Sequence, residues 1–258
     1  AGAAFLSIHA EDPAALSGVD AGRIRRANRA AGEALREFRE ATRQNRVQWC
    51  VASIPVPAWA RAVFPELPEE AAMSCLWERI FEAVHVEQDG DAVGAWREHI
   101  ARLTHYRDWL NGLRLRALHY RNALGTDLMV ELPEGHFWVA GEERTPAGVP
   151  FVPNLPTEEV FTAPRRDGVN GRVVASLPLV LDGNVVRGFA LTLERGRIVH
   201  VEAEEGETVL RNAVAVDEGA SYLGEVALVP FDSAISRTGT LFYNTLFDEN
   251  ASCHLAFG

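Results

Sequence analysis

The sequence predicts a mixed α+β fold, with a helical or α/β part over residues 1–112 followed by a β-rich domain over 113–258 that carries the chemistry-bearing motifs. Three observations predict it. Runs rich in Ala, Arg and Glu, with apolar residues at helical spacing, occupy the first part. From Leu113 the apolar period falls to two, as on half-buried strands. The turn dipeptides Asp182-Gly183, Arg195-Gly196 and Glu205-Gly206 punctuate segments rich in Val, Leu and Ile, which reads as an antiparallel meander.

Residues 21–44 form the first expected helix. Asp20 is placed to cap the free N–H groups of its first turn, and Ile24, Leu35 and Phe38 are available for a buried face. Residues 46–54 then read as a largely buried strand, which Pro55 and Pro57 end because proline donates no backbone hydrogen bond. Pro68-Glu69-Glu70 opens a second helix carrying Met73, Leu76, Trp77, Ile80 and Val84, and residues 92–110 form a third with Trp96, Ile100, Leu103 and Trp109. Trp59, Trp77, Trp96 and Trp109 are expected in the core. The boundary between the two parts is expected near Asn111-Gly112.

The chain has 258 residues, 47% hydrophobic and 24% charged, an ordinary balance for a globular protein. A formal net charge of −11 opposes a nucleic-acid or anionic-membrane surface, because phosphate binding draws its affinity from clustered cations. Every basic side chain other than histidine is arginine. Cys50, Cys75 and Cys253 are odd in number and widely spaced, unlike a disulfide framework, which points to a reducing compartment. No stretch approaches membrane-spanning length and no secretory leader opens the chain, so the cytoplasm is expected. Ala1 in place of an initiator methionine, and Gly258 straight after a dense motif, read as cuts inside a longer protein.

Oxygen donors and one imidazole fall on three separate segments. Thr157-Glu158-Glu159 begins a strand-like run, so its adjacent carboxylates should point to opposite faces, and one of them would enter a site. Glu225 sits in an otherwise apolar strand pattern, where an ionised carboxylate needs a cation or a donor; a ligand role and an ion pair with an arginine both meet that need. His254 lies in the apolar frame Cys-His-Leu-Ala-Phe, shortly after Asp248 and Glu249. Glutamates with a histidine suit zinc, cobalt or manganese, while the absence of a thiolate cluster opposes a structural zinc site. His85, His99, His105, His119, His136 and His200 belong to no recognised ligand spacing and read as structural or exposed. Gly-rich phosphate loops, a Gly-x-Ser-x-Gly elbow and a His-Glu-x-x-His helix are absent.

The blocks Asn-Leu-Pro-Thr-Glu-Glu-Val-Phe-Thr at 154–162, Gly-Glu-Val-Ala-Leu-Val-Pro at 224–230 and Thr-Leu-Phe-Asp-Glu-Asn-Ala-Ser-Cys-His-Leu-Ala at 245–256 resemble signature blocks of the aminopeptidase T / aminopeptidase S family of dinuclear metallopeptidases. Trp49-Cys50, Pro57-Ala58-Trp59-Ala60, Gly125-Thr126-Asp127-Leu128 and Leu132-Pro133-Glu134-Gly135-His136 extend the likeness over most of the chain. The resemblance implies that Glu159 binds one metal ion, that Glu225 bridges two, and that His254 and Glu249 complete what this segment supplies. It implies two divalent ions, zinc or cobalt first and manganese or magnesium next, and a general base or α-ammonium holder at Glu158, or at Glu249 if that residue is not a ligand. Release of N-terminal residues from peptides and a homodimer are further implications. The family pattern continues beyond His254 with a tyrosine and a His-x-Asp pair, which this chain does not contain, and part of the family's N-terminal domain is also missing. Two alternatives are a non-catalytic segment that contributes a dimer interface, and a glycosidase using two of Glu159, Glu225 and Glu249 as acid and base.

Overall fold

The computed structural model describes residues 3–258, so the reading of the chain's opening at Ala1 lies outside the described residues. The first part runs β1 (Ala4–His9), α1 (Ala21–Ala34), α2 (Arg36–Arg43), β2 (Gln48–Ser53), α3 (Pro57–Val63), α4 (Glu69–Ala83) and α5 (Ala92–Leu113). Strands then dominate: β3 (Ala117–Arg121), β4 (Asp127–Glu131), β5 (Val139–Ala140), β6 (Glu143–Arg144), β7 (Pro150–Phe151), β8 (Val160–Thr162), β9 (Val169–Val174), β10 (Leu179–Leu181), β11 (Asn184–Val186), β12 (Ala190–Glu194) and β13 (Arg197–Glu202). The chain closes with α6 (Glu207–Val214), β14 (Leu223–Leu228), α7 (Ala234–Thr238), α8 (Thr245–Asp248) and β15 (His254–Phe257). The fold is mixed α+β, as the sequence predicts.

Asp20 caps α1 through its side chain, which accepts from the Arg23 N–H at 2.9 Å. The single helix expected over 21–44 is interrupted, because Leu35 takes φ −97° and ψ 11° and α2 begins again after it. Of the three expected core residues only Ile24 is buried; Leu35 and Phe38 are exposed, and Phe38 packs edge-on against Phe5, another exposed ring, at 5.1 Å. β2 is half-buried rather than buried, since the strand on its edge is β1, a parallel partner exposed along its whole length.

The tryptophan expectation divides by helical phase. Trp59 is fully buried, but Trp77 and Trp109 are 36% and 58% exposed. The buried stripe of α4 runs through Ala72, Leu76, Ile80 and Ala83, and that of α5 through His99, Leu103 and Leu110. Trp77 and Trp109 each lie one position off these stripes, about 100° around the helix.

Two larger antiparallel sheets dominate the β-rich part, one ordered β13-β12-β9-β4-β3 and one ordered β15-β14-β8-β5, with β10-β11 and β6-β7 as separate two-stranded pairs. Asp182-Gly183 joins β10 to β11 and Arg195-Gly196 joins β12 to β13, with φ of 50° and 64° at the first pair and 47° and 81° at the second. Two successive positive φ values are what a tight hairpin needs to follow strand twist. Glu205-Gly206 differs from expectation: Gly206, at φ 77°, is the N-cap of α6 and closes no hairpin.

One core lies between the sheets and α5, with Leu103, Leu128, Val130, Leu193 and Val226 at its centre. A second joins α3 and α4 to α7 and α8 through Trp59, Leu76, Ile80, Ile235, Phe242 and Phe247. The change from helix to strand falls after Leu113, yet each core draws side chains from both sides of that point. All three cysteines are free thiols. Among the described residues no helix is long and apolar enough to cross a membrane.

Candidate metal centre

The sheet register explains how three distant residues meet. In β14 and β15, Ala227 pairs with His254 and Glu225 with Ala256, so Glu225 and His254 share one face of the sheet. Across the other edge of β14, Ala227 pairs with Phe161 of β8. Glu159 lies two residues before Phe161 and therefore on that same face. A register irregularity between Leu223 and Glu225 sets the phase at the start of β14.

His254 Nε2 lies 2.8 Å from Glu159 Oε2 and 3.6 Å from Glu225 Oε1. One donor atom from each of the three lies within 4.8 Å of the others. His254 Nδ1 approaches the Ser252 carbonyl at 3.2 Å, and a carbonyl only accepts, so Nδ1 carries the proton and Nε2 faces the carboxylates. A carbonyl that holds the far ring nitrogen in this way orients an imidazole for metal binding. The 2.8 Å approach is an ion pair, and apart from it Glu159 Oε2 and His254 Nε2 are both buried without a hydrogen-bond partner. Two buried atoms that face only each other, at the focus of an imidazole and two carboxylates, fit a divalent cation, and the hard oxygen and imidazole set suits zinc, cobalt or manganese.

With no cation present the three side chains balance charge among themselves. Burial alone would lower the pKa of His254, but its contacts with Glu159 and Glu225 outweigh burial and raise it to about 11. Glu249 lies beside the trio, which does not extend to it. Burial, followed by the negative charge of Glu159, pushes the Glu249 carboxyl up to about 7. Glu159, Glu225 and Glu249 line one side of a cavity of about 380 Å³ whose other walls include Trp49, Phe161 and Arg43.

Asp248 and Glu158 are directed elsewhere. The Asp248 carboxylate accepts from the Phe242 and Asn244 N–H groups at 2.8 and 3.0 Å and so ties down its own loop. Glu158, buried, points away from Glu159, with Oε1 2.6 Å from His85 Nε2. The general-base position that the sequence reading gave first to Glu158 therefore lies outside the cavity, because alternation along the extended segment sends the two carboxylates in opposite directions. His85 and His99, read as structural or exposed, are respectively part-buried and buried beside Glu158. They stand on different elements, so no spacing in the sequence joins them; the available signal was a buried Glu158 in need of a donor.

Residues 1–258 match the model of the family described as thermophilic metalloprotease (M29). The chain is 49% identical over 257 residues to Aminopeptidase 2 of Geobacillus stearothermophilus, and 48% identical to Aminopeptidase AmpS of Bacillus subtilis and to Aminopeptidase T of Thermus thermophilus. In each case the whole chain is matched to 62% of the relative, so it spans under two thirds of their length. The solved structure of wild-type AmpT from Thermus thermophilus superposes with a TM-score of 0.90 at 47% identity, covering 100% of this chain and 63% of that one.

Proposed function

The chain belongs to the thermophilic metalloprotease (M29) family, and from that premise we propose that the intact protein is a metal-dependent aminopeptidase that removes N-terminal residues from peptides. The observation that carries this reading is the convergence of donor atoms from Glu159, Glu225 and His254 within 4.8 Å of one another, beside a cavity that Glu159 and Glu225 line. Relatives of similar sequence bear aminopeptidase names, which supports the same class of reaction.

In this reading Glu159, Glu225 and His254 would hold the divalent ions, two of zinc or cobalt type. Divalent ions bound there supply Lewis acidity toward a peptide carbonyl and lower the pKa of water. Glu249, outside the trio but lining the same cavity, is the group placed to accept and return a proton. Glu159 and Glu225 hold negative charge at the cavity wall, which also favours a substrate's α-ammonium group. Glu158 is assigned a role behind the site. The intact protein is proposed to be a cytoplasmic homodimer. Its three free thiols suit a reducing compartment, and the dimer rests on the family resemblance. The domain division at residues 112 and 113 is likewise retained as a proposal.

The test is release of free amino acid from unblocked and N-acetylated peptides by the intact protein, before and after chelation. Cleavage of unblocked peptides alone, lost on chelation and restored by zinc or cobalt, supports the proposal. Activity that survives stripping of the metal, or cleavage of blocked peptides at internal bonds, overturns it. Membership of a metalloprotease family sets aside the carboxylate-pair glycosidase.

A further inference from the structure

A second group of side chains grips the Thr157-Glu158-Glu159 segment on the side turned away from the cavity. Glu158 Oε1 accepts from His85 Nε2 at 2.6 Å. The Glu158 N–H donates to Asn250 Oδ1 at 2.7 Å, and the Asn250 amide in turn donates to the Leu246 carbonyl at 3.0 Å. His99 Nε2 lies 2.7 Å from the Thr157 carbonyl, and an Arg102 guanidinium nitrogen lies 2.9 Å from His99 Nδ1. A guanidinium only donates, so Nδ1 accepts and Nε2 carries the proton given to Thr157. His85, His99 and Glu158 gather as metal ligands would. Both nitrogens of His99 are already used, however, which leaves it no lone pair for an ion.

The carbonyl of Thr157 and both the N–H and the carboxylate of Glu158 are thus held, while the next side chain, Glu159, points into the cavity. His85 follows α4 in the left-handed backbone region, with φ 53°, a conformation that costs free energy for any residue bearing a Cβ. Trp96 secures that turn by donating to the Val84 carbonyl at 2.7 Å, and its ring stands edge-on to His85 and His99 at 5.9 and 5.4 Å. The His85 and Val86 N–H groups close the end of α4 on the Glu82 and Phe81 carbonyls at 3.2 and 2.8 Å, a helix ending in which a left-handed residue is usual.

We propose that the His85–Glu158 pair, supported by His99 and Asn250, is a positioning device that fixes the direction of Glu159 toward the bound cation. The proposal rests on the reading of Glu159 as a metal ligand. His85 and Glu158 touch neither substrate nor ion; they act through the backbone that carries Glu159. Partners of this outer kind change metal affinity by about 10–100-fold when removed.

The experiment compares His85→Asn and His85→Gln in the intact protein. Asparagine tolerates the left-handed backbone but is too short to reach Glu158, whereas glutamine keeps a donor at that reach. Cobalt affinity is measured by competition with a chromophoric chelator, and the ¹⁵N resonance of His254 Nε2 is recorded in the metal-free protein, with Glu159→Gln as the reference for a lost ligand. His85→Asn is expected to weaken cobalt binding about 10–100-fold and to shift the His254 resonance toward that of Glu159→Gln, while His85→Gln restores both. Unchanged affinity and an unchanged resonance in a folded His85→Asn protein would overturn the proposal. If the unsubstituted protein binds no cobalt, the ligand reading of Glu159 fails by itself, and the His254 resonance still decides whether His85 positions Glu159. Should His85→Asn not fold, the comparison passes to Glu158→Ala and Glu158→Gln with the same readouts.

Discussion

His254 Nε2 stands 2.8 Å from Glu159 Oε2, and neither buried atom has a hydrogen-bond partner. Ninety-five residues separate the two in sequence, and the register of β8, β14 and β15 puts them on one face. Without a cation the two form an ion pair, and with no other donor or acceptor around them they face one point, as the ligands of a cation must.

Replacing Glu225 with glutamine in the intact protein should abolish peptide hydrolysis while leaving the fold nearly unchanged. Glu225 is partly exposed and makes no hydrogen bond that the fold depends on, so its carboxylate serves the cavity. Turnover and melting temperature are measured together. Near-normal turnover would remove Glu225 from the site.

The metal-free protein should lose stability as pH rises. Burial pushes Asp248 up from 3.8 to about 6, burial and Glu159 push Glu249 up from 4.5 to about 7, and His254, lowered by burial but raised more by Glu159 and Glu225, goes from 6.5 to about 11. A group with a folded pKa above its unfolded value stabilises fully below the unfolded value and loses that contribution as pH climbs through the folded one. For the two carboxyls the window runs from about 4 to about 7, and for His254 from 6.5 to about 11, all with one sign. Asp127, Asp167, Glu202 and Glu207 have depressed pKa values and act oppositely, but below 4.5, and His99, lowered by burial from 6.5, acts oppositely below 6.5. Above 6.5 the His254 contribution is unopposed, so calorimetry in chelator should show the melting temperature falling between pH of about 7 and about 9; a flat or rising trend contradicts the charge balance described.

Zinc or cobalt should raise the melting temperature, since an ion held 100-fold above its dissociation constant adds about 2.7 kcal/mol. The gain should grow from mildly acid to mildly alkaline pH, because His254 must give up a proton first. His254→Ala should remove most of it. An equal gain in the variant would place the ion elsewhere.

Gly196→Ala tests the β-rich frame. At φ 81° an added Cβ would lie 1.6 Å from the Arg166 carbonyl oxygen, a backbone atom that cannot step aside. A loss on the order of 2–4 kcal/mol is expected in denaturant unfolding, well above an ordinary surface change. A loss under about 1 kcal/mol would contradict the hairpin geometry.

Much of this was legible in the sequence because local rules decided it. The Asp20 cap, the helices around Leu76 and Leu103 and the hairpins at Asp182-Gly183 and Arg195-Gly196 follow from capping, helical period and positive φ. The opposite facing of Glu158 and Glu159 follows from alternation. What the sequence concealed depends on tertiary contact. Leu35 breaks a helix whose composition is continuous, Gly206 starts a helix instead of turning a hairpin, and Trp77 and Trp109 lie just off their buried stripes. Behind Glu158, His85 from the turn after α4 and His99 from α5 are brought together by packing, which no spacing rule could join.

The most direct test of the central claim is metal content per chain of the intact protein, by elemental mass spectrometry after loading with zinc or cobalt and exhaustive dialysis. About two ions are expected for a dinuclear site, falling sharply in Glu159→Gln and in His254→Ala. No retained metal, or the same content in both variants, would contradict the assignment of Glu159, Glu225 and His254 as a metal centre.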